Sequence, residues 1–97
     1  MKKKTFLVTG GTGFIGSNIS NLLVKNNYNV KIFDNNSRGS INNIKNFKKK
    51  VTFIKGDIRN KNLLNKALKK TNAVIHLAYV NGTKNFTVIP LTYPAPL

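Results

Sequence analysis

The sequence predicts an α/β fold: a parallel sheet of about four strands in the order 3-2-1-4, with flanking helices. Three observations carry that expectation. Apolar runs of strand length alternate with segments of helical period. A glycine-rich turn follows the first run and opens the first helical segment. The only two acids of the chain, Asp34 and Asp57, each stand at or just past the carboxyl end of a predicted strand. Such alternation calls for parallel strands joined by helices, and the right-handed crossover rule leaves 3-2-1-4 as the natural order.

The first strand covers about Lys4 to Thr9, around the apolar run Phe6-Leu7-Val8. The first helix covers about Phe14 to Asn26 and places Ile15, Ile19, Leu22 and Leu23 on one face, the stripe of a helix packed on a sheet. Asn26-Asn27 end it, and the second strand runs from Asn29 to Asp34. A polar loop over 35–40 leads to a weakly helical piece with Ile41, Ile44 and Phe47. The third strand, Val51 to Lys55, follows the lysine run 48–50. A second helix, about Lys61 to Lys70, carries Leu63, Leu64, Ala67 and Leu68 on one side, and the fourth strand is Ala73 to Leu77.

Residues 1–89 read as one incomplete unit, and 90–97 as an irregular tail holding all three prolines, Pro90, Pro94 and Pro96. Four strands in 97 residues bury an incomplete core. The apolar fourth strand, left at the sheet edge, is then expected to support self-association and poor solubility.

The octapeptide Thr9-Gly10-Gly11-Thr12-Gly13-Phe14-Ile15-Gly16 lies between the first strand and first helix. Gly10 permits a tight turn, Gly13 leaves room for a pyrophosphate beside the main chain, and Gly16 lets helix and strand approach closely. The N–H groups of Thr12 to Ile15 are expected to point at the anion, helped by the positive end of the helix dipole. Asp34 closes the second strand near the spacing of about 20 residues at which a carboxylate meets the adenosine ribose. An acid there accepts from ribose hydroxyls and repels a 2′-phosphate, which implies NAD over NADP. Arg38 reads as a solvated loop residue. Asp57, in the turn Gly56-Asp57-Ile58-Arg59, reads equally as a turn residue or helix cap.

Taken in order, Thr9 to Gly16, Asp34-Asn35, Gly56 to Arg59 and His76-Leu77-Ala78 resemble the N-terminal half of an extended short-chain dehydrogenase/reductase of the NAD-dependent epimerase/dehydratase family. The resemblance covers about Lys4 to Phe86 and implies a partial Rossmann domain that binds NAD. It implies that Gly10, Gly13, Phe14, Ile15 and Gly16 hold the pyrophosphate and Asp34, with Asn35 beside it, the ribose. Asp57 and Ile58 would hold the adenine, and Leu77 and Ala78 the middle of the cofactor. Tyr79 stands where the family commonly has a small residue. The family's chemistry also uses a Tyr-x-x-x-Lys pair, but the residues four past Tyr28, Tyr79 and Tyr93 are Ile32, Thr83 and Leu97. No catalytic residue is therefore assigned, and a nucleotide-sugar substrate is implied only for a full-length relative. The chain looks like a truncated member.

Composition sets the remaining bounds. Seventeen Lys plus Arg against two acids give a formal charge of +15, which raises nucleic acid as a partner. The basic residues are spread along the sequence with Asn abundant between them, the bias of an adenine-rich coding sequence, so specific nucleic-acid binding is not expected. Without Cys, and with one His, no disulfide or metal centre is expected. The short apolar run after Met1 is broken by Thr9-Gly10-Gly11, and no segment is long enough to span a membrane, so a cytoplasmic location is expected. His76 reads as a packed residue near a strand end.

Overall fold

The computed structural model describes residues 3–35 and 39–78, and the backbone of 87–90. Its sheet contains β1 (Thr5–Thr9), β2 (Asn29–Asp34), β3 (Val51–Lys55), β4 (Ala73–His76) and β5 (Thr87–Pro90), in the order β3-β2-β1-β4-β5. The four expected strands are parallel and in the expected order. Val8 sits opposite Ile32 on one side and Ile75 on the other, and Thr9 opposite Phe33 and His76. This register brings Thr9, Asp34 and His76 to one edge of the sheet.

The fifth strand corrects the sequence reading. β5 pairs antiparallel with β4, placing Pro90 against Ala73 and Thr87 against His76. The edge of β4 expected to be open is therefore taken, and Pro90 ends a strand instead of beginning the tail. A proline, which has no N–H to give to a ladder, is tolerated on such an outermost strand. Residues 91–97, with Tyr93, Pro94 and Pro96, lie outside the described residues.

Two helices cover opposite faces, α1 (Phe14–Lys25) and α2 (Lys61–Leu68). Val8, Val30, Ile32 and Ile75 form one core layer with Ile44 and Phe47, against which Ile19, Leu23 and Val24 of α1 pack. Leu7, Phe33 and Val74 form the other with Ala67 and Leu68 of α2. Successive strand residues enter opposite layers, so both faces of the central strands are buried and the strands read as near-continuous apolar runs. The weakly helical piece is two 3-10 turns, Ile41–Ile44 and Lys48–Lys50.

The face of α1 also departs from expectation. Gly16, Ser17 and Ser20 are its buried residues, whereas Ile15 and Leu22 are exposed. The cause is close approach: a Cβ on Gly16 would stand 2.2 Å from the carbonyl oxygen of Gly10. The helix therefore turns its small residues inward, and Ile15 and Leu22 rotate outward.

Topology gathers what the sequence spreads. Lys3 and Lys4 precede β1, Lys25 ends α1, Lys48 to Lys50 precede β3, and Lys69 and Lys70 precede β4, all exposed. Parallel strands begin on one side, so these lysines share the amino edge of the sheet. Lys31 is the partly buried member. Its ammonium donates to the carbonyls of Ala67 (3.1 Å) and Lys69 (2.6 Å) at the end of α2, where the helix dipole favours a cation. Burial, and then the charge of Lys70, lower its pKa from the ordinary lysine value.

Candidate functional site

The carboxyl edge carries the glycine turn. Gly10 adopts φ +73°, open to glycine without strain, and its N–H donates to the Phe33 carbonyl at 2.9 Å. Gly13 is the N-cap of α1, and its carbonyl accepts from the Ser17 N–H at 2.8 Å. The N–H groups of Phe14, Ile15 and Gly16 consequently have no carbonyl of their own helix to reach. No acid stands in this first turn and no side chain caps it. A Cβ on Gly13 would meet only the Gly10 carbonyl oxygen, at 3.5 Å, so the space beside it is open. Phe14 and Ile15 are 81% and 54% exposed.

One expected donor is used elsewhere. The Thr12 N–H donates to Oδ2 of Asp34 at 2.8 Å, and the Thr12 hydroxyl donates to the same oxygen at 2.5 Å. Thr12 is fully buried and Asp34 is 7% exposed. The carboxylate that ends β2 is thereby tied to the glycine turn, and the helix-start groups open to an anion begin at Phe14. Asn35 follows Asp34 and is exposed.

Leu77 and Ala78 come to the same place from β4. Their N–H groups both donate to the Thr9 hydroxyl oxygen, at 3.0 and 3.2 Å. With two bonds accepted, that hydroxyl has its proton left for Nδ1 of His76, 2.7 Å away. His76 therefore carries its ring proton on Nε2, and burial pushes its pKa below the usual histidine value. It is a half-buried strand-end residue, bonded as expected. A Cβ on Gly10 would lie 3.0 Å from the Ala78 nitrogen, so the two loops touch through the glycine.

Asp57 and Ile58 follow β3, whose end meets β2 through a bond from the Gly56 N–H to the Asp34 carbonyl at 3.1 Å. The Asp57 carboxylate accepts from the Arg59 N–H, Nε and a terminal guanidinium nitrogen. Those hydrogen bonds hold its pKa at about 2. Ile58 packs toward the α2 layer. Arg38 and Tyr79 lie outside the described residues. Thr9 and Thr12 carry roles beyond the sequence reading, and the signal was there: two hydroxyl residues set into a glycine turn, and an acid without a basic neighbour in sequence. Among the described residues no group of three or more His, Cys, Asp or Glu could hold a metal ion, and no helix is long and apolar enough to cross a membrane.

The arrangement suits a ligand with an anionic centre and a vicinal diol. Open main-chain donors at a helix start are suited to an anion, and a fixed carboxylate is suited to accept from hydroxyls. Known proteins with similar sequences point the same way. The profile of the GDP-mannose 4,6 dehydratase family matches residues 7–87. A putative UDP-glucose 4-epimerase of Methanocaldococcus jannaschii is 44% identical over 86 residues, covering 88% of this chain and 27% of the relative. The solved structure of an epimerase from Methanothermobacter thermautotrophicus superimposes with a TM-score of 0.75 at 39% identity, over 81% of this chain and 24% of that one. The UDP-glucose 4-epimerase of Brucella ovis, solved in complex with NAD, gives 0.70 at 34% identity, over 79% and 23%. The chain spans about a quarter of the length of most of the relatives it matches, 27% of the Methanocaldococcus jannaschii protein among them.

Proposed function

This chain belongs to the GDP-mannose 4,6 dehydratase family, and from that premise we propose that it is the NAD-binding portion of a cytoplasmic nucleotide-sugar epimerase or dehydratase. The observation that carries the reading is the pairing of an open helix-start turn with a buried, clamped acid, Asp34, at one sheet edge. Gly10, Gly13, Phe14, Ile15 and Gly16 would supply the backbone that holds the pyrophosphate, and Asp34 and Asn35 would hold the adenosine ribose. Asp57 and Ile58 would hold the adenine, and Leu77 and Ala78 the middle of the cofactor.

When bound, NAD supplies the hydride acceptor and donor. The residues of this chain bind and orient it. A Tyr-x-x-x-Lys pair, which would move the proton of a sugar hydroxyl, does not occur in the sequence. This stretch alone therefore binds NAD without turning over a nucleotide-sugar, which serves as substrate only where the rest of such an enzyme is present. The relatives favour neither a regulatory NAD-binding module nor a nucleic-acid-binding domain.

The test is a calorimetric titration of NAD into the wild type and Gly13→Val. Gly13 has φ −71° and ψ 174°, a conformation valine accepts, and its Cβ direction is clear of protein. The fold is expected to survive and NAD binding to be lost, because the side chain fills the space of the phosphate. Equal affinity in the two proteins contradicts the assignment.

A further inference from the structure

We propose that Thr12 is a positioning residue that sets the choice between NAD and NADP by clamping one oxygen of Asp34; the inference rests on the NAD-binding reading above. Both donors of Thr12, its N–H and its hydroxyl, converge on Oδ2. A carboxylate gripped twice through one oxygen cannot rotate about its Cβ–Cγ bond without losing both bonds, and the direction of Oδ1 is fixed with it.

The clamp is itself braced. The Thr12 carbonyl accepts from the Ser40 N–H at 3.2 Å and from the Asn43 side-chain amide at 2.7 Å. Gly39 makes room for this approach, since a Cβ there would lie 2.3 Å from the Thr12 oxygen. All three polar atoms of Thr12 are thus engaged in a fully buried position. One residue joins the glycine turn, the acid of β2 and the segment after β2. A satisfied buried network of this kind specifies a single arrangement.

The chemical consequence concerns the 2′ position of the ribose. A carboxylate held in place accepts from ribose hydroxyls and meets a 2′-phosphate with like charge. A carboxylate held through one bond from Thr12 instead of two is less firmly directed, and so loses part of the first interaction and relieves part of the second. Removing the hydroxyl of Thr12 is therefore expected to relax selectivity as well as to weaken NAD binding.

The experiment measures NAD and NADP affinities by competition for the wild type, Thr12→Val, Thr12→Ala and Thr12→Ser, each checked by circular dichroism and thermal melting. Valine keeps the shape of threonine and its N–H, alanine guards against a packing failure specific to valine, and serine restores the hydroxyl. Loss of one hydrogen bond to a charged group corresponds to about tenfold in affinity. The NAD-to-NADP ratio is expected to fall by about that factor in Thr12→Val and Thr12→Ala and to stay at the wild-type value in Thr12→Ser. A merely structural role lowers both affinities together and leaves the ratio unchanged, which overturns the proposal, as does a lost ratio in folded Thr12→Ser. Wild type that binds neither dinucleotide, or does not prefer NAD, overturns the underlying reading and this inference with it.

Discussion

The two edges of the sheet are built on different principles. At the carboxyl edge the polar groups of Thr9, Thr12 and Asp34 are buried and bonded to one another or to the adjoining loops. At the amino edge the lysines before β1, β3 and β4 are exposed and of one sign. Charge alone would have drawn attention to the amino edge. Burial and bonding, which fix geometry, draw it to the carboxyl edge. Exposed lysines are solvated and hold no fixed geometry, whereas a clamped acid and main-chain donors at a helix start have the fixed geometry that selecting one shape of ligand requires.

The contrast is broken most severely by Gly16→Val. Its Cβ would overlap the Gly10 carbonyl, and overpacking at a site with backbone on the far side costs about 3 kcal/mol. In a domain of this size that lowers the melting temperature by on the order of 10 °C. The neighbouring Gly13→Val is expected to leave it nearly unchanged. Thermal melting of the two variants separates the glycine that packing requires from the one whose Cβ direction is open.

A smaller effect sharpens the picture of the carboxyl edge. Burial lowers the His76 pKa below its ordinary value of 6.5, so the folded state favours the neutral ring. Its contribution to stability is complete above that ordinary value and is lost as pH falls through the lowered one. Chemical denaturation at pH 7.5 and 5.5 should show lower stability at the acid end. His76→Gln should flatten the difference, and an unchanged slope in that variant contradicts the assignment of the difference to buried His76.

The smallest effect belongs to the amino edge. Binding of unrelated DNA duplexes is expected to be weak, equal among sequences and steeply dependent on salt. Replacing Lys48, Lys49 and Lys50 by Gln should reduce the slope of log affinity against log salt by roughly 0.9 for each phosphate that is no longer neutralised. Fluorescence anisotropy at several salt concentrations reads this directly, and tight binding of one sequence at physiological salt contradicts it.

The parallel strands and their order were legible because each strand is apolar on both faces and each helix has its own period. β5 was not, since Thr87 to Pro90 is short and ends in a proline, a residue that argues against a strand except at an edge. The inward face of α1 was not legible either, because hydrophobic periodicity ranks Ile15 and Leu22 above Gly16 and Ser20, while the fold needs small side chains where helix meets turn. Gly10, Gly13 and Asp34 stand out from spacing alone, and the fold brings the glycine turn and the acid to one edge of the sheet. The bonds of Thr12 to Asp34, across 22 positions of sequence, depend on strand register, which no local pattern states. The lysine edge likewise exists only once parallel strands align their starts.

The central claim is that Asp34, held at the carboxyl edge, reads the ribose of NAD. The direct measurement is a competition between NAD and NADP on folded wild type and Asp34→Ala. Wild type should prefer NAD, and Asp34→Ala should bind NAD roughly ten- to a hundredfold more weakly, from the ~1.5–3 kcal/mol of a hydrogen bond to a charged group, with the preference narrowed or removed. A wild type that prefers NADP, or an Asp34→Ala protein with the ratio of wild type, contradicts the claim.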